Sequence, residues 1–379
     1  MRTTKTMLLL GAAYASLTGC GGSAPVTSKE TPAAKPAGRF DEQDLFKAGE
    51  AGYTRYRIPA LVVSAKGTIL AFTEARKGKG HDTDEIDIAL RRSFDHGKTW
   101  DPMRVILDDG TRTMNQPTPV LDRETGTIWL PFCKDNRQVF VTKSTDDGET
   151  WSTPIEITKD VKDPSWKYLG AGPGHGIQLK SGRLLIPAWG DTSPGPATWG
   201  LQANWGKVQF SYAFYSDDHG KTWKRGKPLD NDLSDECEVV ETTDGKVYMN
   251  ARSRQDKKAR MSARSDDGGV TWSKLEVDPN LPEPSCQAGL ARYSTGKDRI
   301  LLTHPSSTES RTRLTARLSY DEGRTWPVAK VIQEGKAAYS DLAVAHDKTI
   351  LSFYESGGSA SLRLARFDLE WLTDGAARP

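Results

Sequence analysis

Cysteine, histidine and methionine are scarce in this chain of 379 residues, at four, six and six copies. Three cysteines follow Cys20, namely Cys133, Cys237 and Cys286, and no spacing among them resembles a zinc site. An odd number leaves at least one unpaired in an exported chain; buried free thiols are expected, with one disulfide as the alternative. Excess charge is missing as well. Lys and Arg number 52 against 50 Asp and Glu, for a net charge of +2, with no basic block or acidic tail. That balance argues against a nucleic-acid partner. Long apolar runs are absent apart from residues 7–17, which are too few to cross a bilayer comfortably. No segment sustains a 3.6-residue period, so long helices are not expected.

What the chain does have is Gly (35), Pro (21), Trp (11) and Tyr (11), the composition of a turn-rich all-β protein. Short apolar segments at 58–64, 68–73, 86–92, 127–132 and 183–188 read as strands between turn signals. One pattern, Ser-x-Asp-x-Gly-x-Thr-Trp, occurs five times, beginning at Ser93, Ser144, Ser216, Ser265 and Ser319. The spacings are 51, 72, 49 and 54 residues. A unit of about fifty residues fits one four-stranded propeller blade. The expectation is therefore an all-β, six-bladed β-propeller of four-stranded antiparallel blades over residues 40–379. Within each box the Gly supplies a turn with φ > 0, the Asp locks it by accepting backbone hydrogen bonds, and the Trp opens the next strand. Five carboxylates spread over five blades cannot meet at one substrate, so they are assigned to folding. The long spacing holds an insertion near 189–207, whose Trp189, Trp199 and Trp205 either line a binding site or cover the core.

The N-terminus reads differently. Arg2 and Lys5 precede the apolar run, and Leu17-Thr18-Gly19-Cys20 resembles a bacterial lipobox. Residues 1–19 are expected to be a signal peptide. Residues 20–39 then form a lipidated Cys20 and a Gly/Ser/Pro-rich tether with an average reach of roughly 25 Å. The expected location is the cell envelope, anchored through that lipid alone.

Outside the boxes a set of arginines, carboxylates and one tyrosine stands in order. Arg57 lies in Tyr56-Arg57-Ile58-Pro59 and Arg76 in Glu74-Ala75-Arg76. Asp82 lies in the carboxylate-rich stretch from His81 to Ile88, with Asp87 as runner-up. Gln116 lies in Asn115-Gln116-Pro117, Glu236 between Asp235 and Cys237, and Arg252 after Asn250 and Ala251. Arg311 lies in Ser310-Arg311-Thr312-Arg313, and Tyr339 in Ala338-Tyr339-Ser340-Asp341. Planar anions are best held by guanidinium forks, which give charge and direction together. The glycine-rich segment 170–176 is not followed by the Lys-Ser/Thr of a phosphate-binding loop. Its backbone is expected near the pocket, with His175 structural.

With these boxes and landmarks the chain resembles the bacterial sialidases (neuraminidases). The resemblance implies Arg57, Arg252 and Arg311 as the clamp on a substrate carboxylate, with Arg313 and Arg317 as competitors for the third place. It implies Tyr339 as nucleophile and Glu236 as its base, ahead of Asp235 and Glu238. Asp82 is then the acid/base group, and Arg76 and Gln116 are further substrate contacts. The implied activity is a retaining exo-α-sialidase acting on sialylated glycans, glycoproteins or glycolipids, without cofactor or metal, as a monomer. Three alternatives stay open: a propeller hydrolase acting on another acidic sugar, a trans-sialidase, and a non-catalytic glycan-binding propeller.

Overall fold

The structure, a computed structural model, describes residues 38–192, 208–229, 233–255, 257–294 and 298–376. The signal-peptide reading, Cys20, nearly all of the tether, Trp199 and Trp205 lie outside the described residues. Within them the regular structure is almost all antiparallel strand, and no helix is long and apolar enough to cross a membrane.

Five hydrogen-bonded sheets follow one another in chain order. The first holds Arg55–Val63, Ile69–Arg76, Ile86–Ser93 and Arg104–Leu107. In the second, Thr127–Lys134 pairs on one side with Gln138–Ser144 and on the other with the short strands Met114–Asn115 and Val120–Asp122. The third repeats that plan around Leu184–Asp191, and the fourth runs from Ser234–Glu241 to Glu276–Pro282. A seven-stranded sheet comes last. Its long strand Val328–Val344 pairs with Thr312–Ser319 through its first half and with Ile350–Ser356 through its second. The outermost member of this sheet is the N-terminal strand Phe40–Lys47, hydrogen-bonded to Ser361–Phe367. The ends of the domain are thereby closed on each other, and an exposed sheet edge is covered.

All five segments read as strands coincide with strands here. Central strands such as Ile69–Arg76 and Val247–Ser253 are buried along their whole length. Their polar members, among them Glu74, Arg76, Asn250 and Arg252, are buried together with the apolar ones.

The boxes fold alike. In the first, Ser93 Oγ donates to Asp95 and accepts from Gly97 N at 2.8 Å, while Thr99 donates to Asp95 through its backbone N–H at 2.9 Å and its hydroxyl at 2.7 Å. Burial would raise the Asp95, Asp146 and Asp218 carboxyls, but these bonds outweigh it and bring each to about 2. The tryptophans stand shortly ahead of the next strand, not within it: Trp100 precedes Arg104–Leu107 and Trp151 precedes Ile155–Glu156.

The structure adds a packing role. The box glycines have φ between 77° and 87°, and each lies against a neighbouring sheet, Gly97 against the last one and the others against the preceding one. A Cβ on Gly148 would sit 2.4 Å from Leu70, one on Gly220 2.2 Å from Trp129, and one on Gly269 2.6 Å from Leu185. The boxes thus rivet one sheet to the next. Gly220→Ala combines left-handed strain with a clash against an indole, and should cost about 2–4 kcal/mol. Gly245→Ala, with φ 82° but nothing within 4 Å, should cost only about 1 kcal/mol. Urea titrations of both variants check this, and equal losses would count against the rivet.

Two readings need correction. Trp189 is not on an irregular loop: it lies in Leu184–Asp191, 2% exposed, with its ring 4.2 Å from that of Tyr168. Cys133, Cys237 and Cys286 are all buried and free, so the disulfide alternative falls.

Candidate active site

Strands lose register where candidate residues stand. Pairing shifts between Arg57 and Ala60, between Ser234 and Cys237, and between Ala337 and Ser340. In the second sheet the first strand is split at Gln116 (φ 55°), and in the third at Gly172 and Gly174 (φ 65° and 108°). Such irregularities re-aim side chains away from the alternating pleat. They turn Arg57, Glu236 and Tyr339 towards one another.

Tyr339 is the centre of the group. Its hydroxyl donates to Glu236 Oε1 at 2.5 Å and accepts from Arg252 Nη1 at 3.1 Å. Arg252 also holds Glu236 Oε2 at 2.5 Å. The Arg57 and Arg311 guanidiniums lie over the Tyr339 ring, 5.0 and 5.3 Å from its centroid. Burial, and then the Glu236 charge, push the phenol well above its ordinary range, while the three arginines pull it back.

Beside Arg57 and Arg311 opens a cavity of about 440 Å³, lined also by Asp82 and Glu355, whereas Tyr339, Glu236 and Arg252 do not line it. Asp82 sits on the loop after Ile69–Arg76, where Gly78 and Gly80 take φ of 58° and 76°. Arg76 Nη1 holds it at 2.5 Å and Arg57 Nη1 at 3.4 Å. Burial would raise the Asp82 carboxyl, but Arg76, Arg57 and Arg311 prevail and hold it below the usual range. Arg76 itself is 2% exposed and shared between Glu74 and Asp82.

Most competitors are placed elsewhere. Asp87 accepts from Tyr53 and pairs with Lys77. Arg313 is taken by Glu334, and Arg317 donates to His304. Asp235 is shared between Arg254 at 2.5 Å and Arg252 at 3.7 Å. Gln116 does not line the cavity: its amide donates to Tyr168 Oη at 2.6 Å, and its backbone N–H donates to Glu74 at 2.8 Å. The 170–176 segment approaches Gln116, Thr118 and Glu238, not the cavity. His175 bonds Asp341.

Two buried carboxylates escaped the sequence reading. Glu355 grips Arg57 through both oxygens, at 2.9 and 3.3 Å, and accepts from Ile58 N at 3.2 Å. Glu74 holds Arg76. The available signal was a charged residue inside an apolar strand, as in Phe353-Tyr354-Glu355-Ser356.

A buried tyrosine–carboxylate pair under converging arginines can be compared with known proteins. The BNR repeat-like domain model matches residues 67–351. The exo-alpha-sialidase of Aspergillus fumigatus is 30% identical over 93% of this chain and 95% of that protein. The chain belongs to the sialidase family. The Micromonospora viridifaciens sialidase is 33% identical over 98% of this chain, which spans only 60% of that protein's length. Among solved structures, the Hadza microbial sialidase Hz136 superposes with a TM-score of 0.77 at 30% identity, covering 87% of this chain and 69% of the other. For this sialidase-family chain, the comparisons account for the box-bearing domain as a whole, and the geometry above locates its charged centre.

Proposed function

We propose that the protein is a retaining exo-α-sialidase that removes terminal sialic acid from glycoconjugates through a tyrosyl-enzyme intermediate. The observation that carries this is the short Tyr339–Glu236 hydrogen bond beneath Arg57, Arg252 and Arg311. Sialic acid bears a carboxylate on its anomeric carbon. An anionic nucleophile approaching beside it is repelled, whereas a neutral phenol is not. The phenol is a weak nucleophile until Glu236 takes its proton, and the adjacent guanidiniums stabilise the charge as it develops. Displacement at the anomeric carbon forms the tyrosyl–sugar bond as the glycosidic bond breaks. Asp82 gives a proton to the leaving oxygen, then removes one from the water that cleaves the intermediate, with net retention.

Arg76, Arg57 and Arg311 favour ionised Asp82 in the free protein, so it needs a bound anion to become an acid. A substrate carboxylate on the arginines supplies one. Turnover should therefore fall as pH rises through the bound-state pKa of Asp82. Asp82→Asn should remove that limb and slow unactivated sialosides by roughly a hundred- to ten-thousand-fold, aryl sialosides with good leaving groups much less. Equal losses on both substrate classes would remove Asp82 from the acid role.

The six-bladed propeller is the proposed architecture. Dividing the seven-stranded sheet within Val328–Val344 yields six antiparallel groups, which supports it. We also propose the lipid anchor at Cys20 and a monomeric protein. Incubation with a sialylated glycoprotein and, separately, a panel of uronosides tests the substrate class. Free sialic acid is the expected product. Release of only a uronic acid overturns the reading in favour of another acidic sugar, and an anhydro or transferred product in favour of transfer.

A further inference from the structure

Two residues beyond Glu236 and two beyond Tyr339, the same strands carry Glu238 and Asp341. Both are 0% exposed, and both face His175. His175 Nδ1 is 2.8 Å from Asp341 Oδ1 and 3.9 Å from Glu238 Oε2. The donor atoms of all three lie within 4.8 Å of one another. We infer that His175, Glu238 and Asp341 form a binding site for one divalent transition-metal ion, Zn²⁺ by the chemistry of its donors. The site lies outside the proposed catalytic group and the inference does not depend on the substrate.

Charge is the first argument. Two buried carboxylates share one imidazole, and both can stay ionised only beside a further cation. The nearby Arg260 is engaged by Asn250, Glu283 and the Cys286 carbonyl. An uncompensated buried anion is strongly disfavoured.

The second argument is an unused oxygen. Leu61 N and Leu342 N donate to the two Asp341 oxygens, and His175 N donates to Glu238 Oε1. Glu238 Oε2 is buried and has no hydrogen-bond partner among the described residues. A proton there would need an acceptor, and none stands within reach. A cation needs only the lone pairs that are present.

Geometry and access agree. A tetrahedral Zn²⁺ with ligands near 2.0–2.1 Å places donor atoms about 3.3 Å apart. The two observed nitrogen–oxygen separations fall on either side of that value, so small opposite shifts suffice. One imidazole with two carboxylates suits Zn²⁺ better than Ca²⁺ or Mg²⁺, which favour all-oxygen sets. His175 also lines a second cavity of about 550 Å³, bounded by Leu61, Val240 and Leu342, which shares no residue with the first. Of the three proposed ligands only His175 lines it, so an ion would enter past that ring. Gly174 permits this closeness, since a Cβ there would lie 1.4 Å from Glu238 Oε1.

The test uses the full, tag-free chain, stripped with chelator and titrated with Zn²⁺ alone. One equivalent per chain should remain after gel filtration, measured by elemental analysis, and the melting temperature should rise. Glu238→Gln should weaken binding at least tenfold. Should that variant not fold, Co²⁺ loaded into the native protein should give the intense visible bands of a tetrahedral site. No retained Zn²⁺, equal retention by Glu238→Gln, or a Co²⁺ spectrum like that of the aquo ion would each overturn the proposal.

Discussion

Tyr339→Phe should lower kcat on sialosides by roughly ten-thousand-fold or more, a loss of the size seen when a covalent nucleophile is removed. The fold should survive. The change deletes one hydroxyl from a packed site, and Glu236 keeps its 2.5 Å bond to Arg252. Two hydrogen bonds to charged groups are lost, so about 1–3 kcal/mol of stability is at stake. Arg57, Arg252 and Arg311 remain in place, so a sialic acid analogue should bind nearly as well as before. Those two results together separate chemistry from folding and from binding. A variant that turns over at near native rates, with an unchanged melt, would remove Tyr339 from the reaction.

Glu355→Ala should damage both stability and activity. Glu355 is 1% exposed and satisfies Arg57 through two oxygens and the Ile58 N–H through one of them. Its removal leaves a largely buried guanidinium facing the cavity without its main partner. Breaking such a pair costs about 3–5 kcal/mol. Glu355→Gln keeps the shape and one acceptor oxygen, so most of the stability should survive. Its effect should fall on substrate handling: Arg57 loses its fork and moves towards Asp82. A displacement of about 1 Å in a clamp costs about a hundred-fold in kcat/KM. The loss should appear mainly in KM, since in the proposed reaction Arg57 holds the substrate carboxylate and does not react. Melting curves and steady-state kinetics on both variants decide this. A Glu355→Gln protein with native KM would show that Glu355 serves folding only.

The contrast between Tyr339 and Glu355 explains what could be read beforehand. Tyr339 belongs to a local segment, and its spacing from Arg311 fits a familiar pattern. Glu355 has no such context. It lies 298 residues from the arginine it holds, and nothing in Phe353-Tyr354-Glu355-Ser356 names a partner. Glu74 was overlooked for a related reason: it sits next to Arg76 in sequence, and only its burial turns that neighbour into a requirement. Gln116 is a different case: the turn at φ 55° sends its amide to Tyr168, away from the residues lining the cavity. Trp189 was placed in an insertion because a tryptophan-rich stretch begins there, yet its strand continues to Asp191.

The sequence alone determined whatever depends on local chemistry. A Ser, an Asp and a Gly within five residues suffice to build a turn, so five boxes announced five like turns and a repeating all-β chain. The tertiary structure decided what depends on approach between distant segments. It showed the box glycines packed on neighbouring sheets, Glu355 locking Arg57, and Glu238, Asp341 and His175 gathered behind the tyrosine. The physical reason is that the register breaks at 57–60, 234–237 and 337–340 turn side chains out of the regular strand alternation. A period-two reading of the sequence cannot see which way they point, and burial then gives each contact its energetic weight.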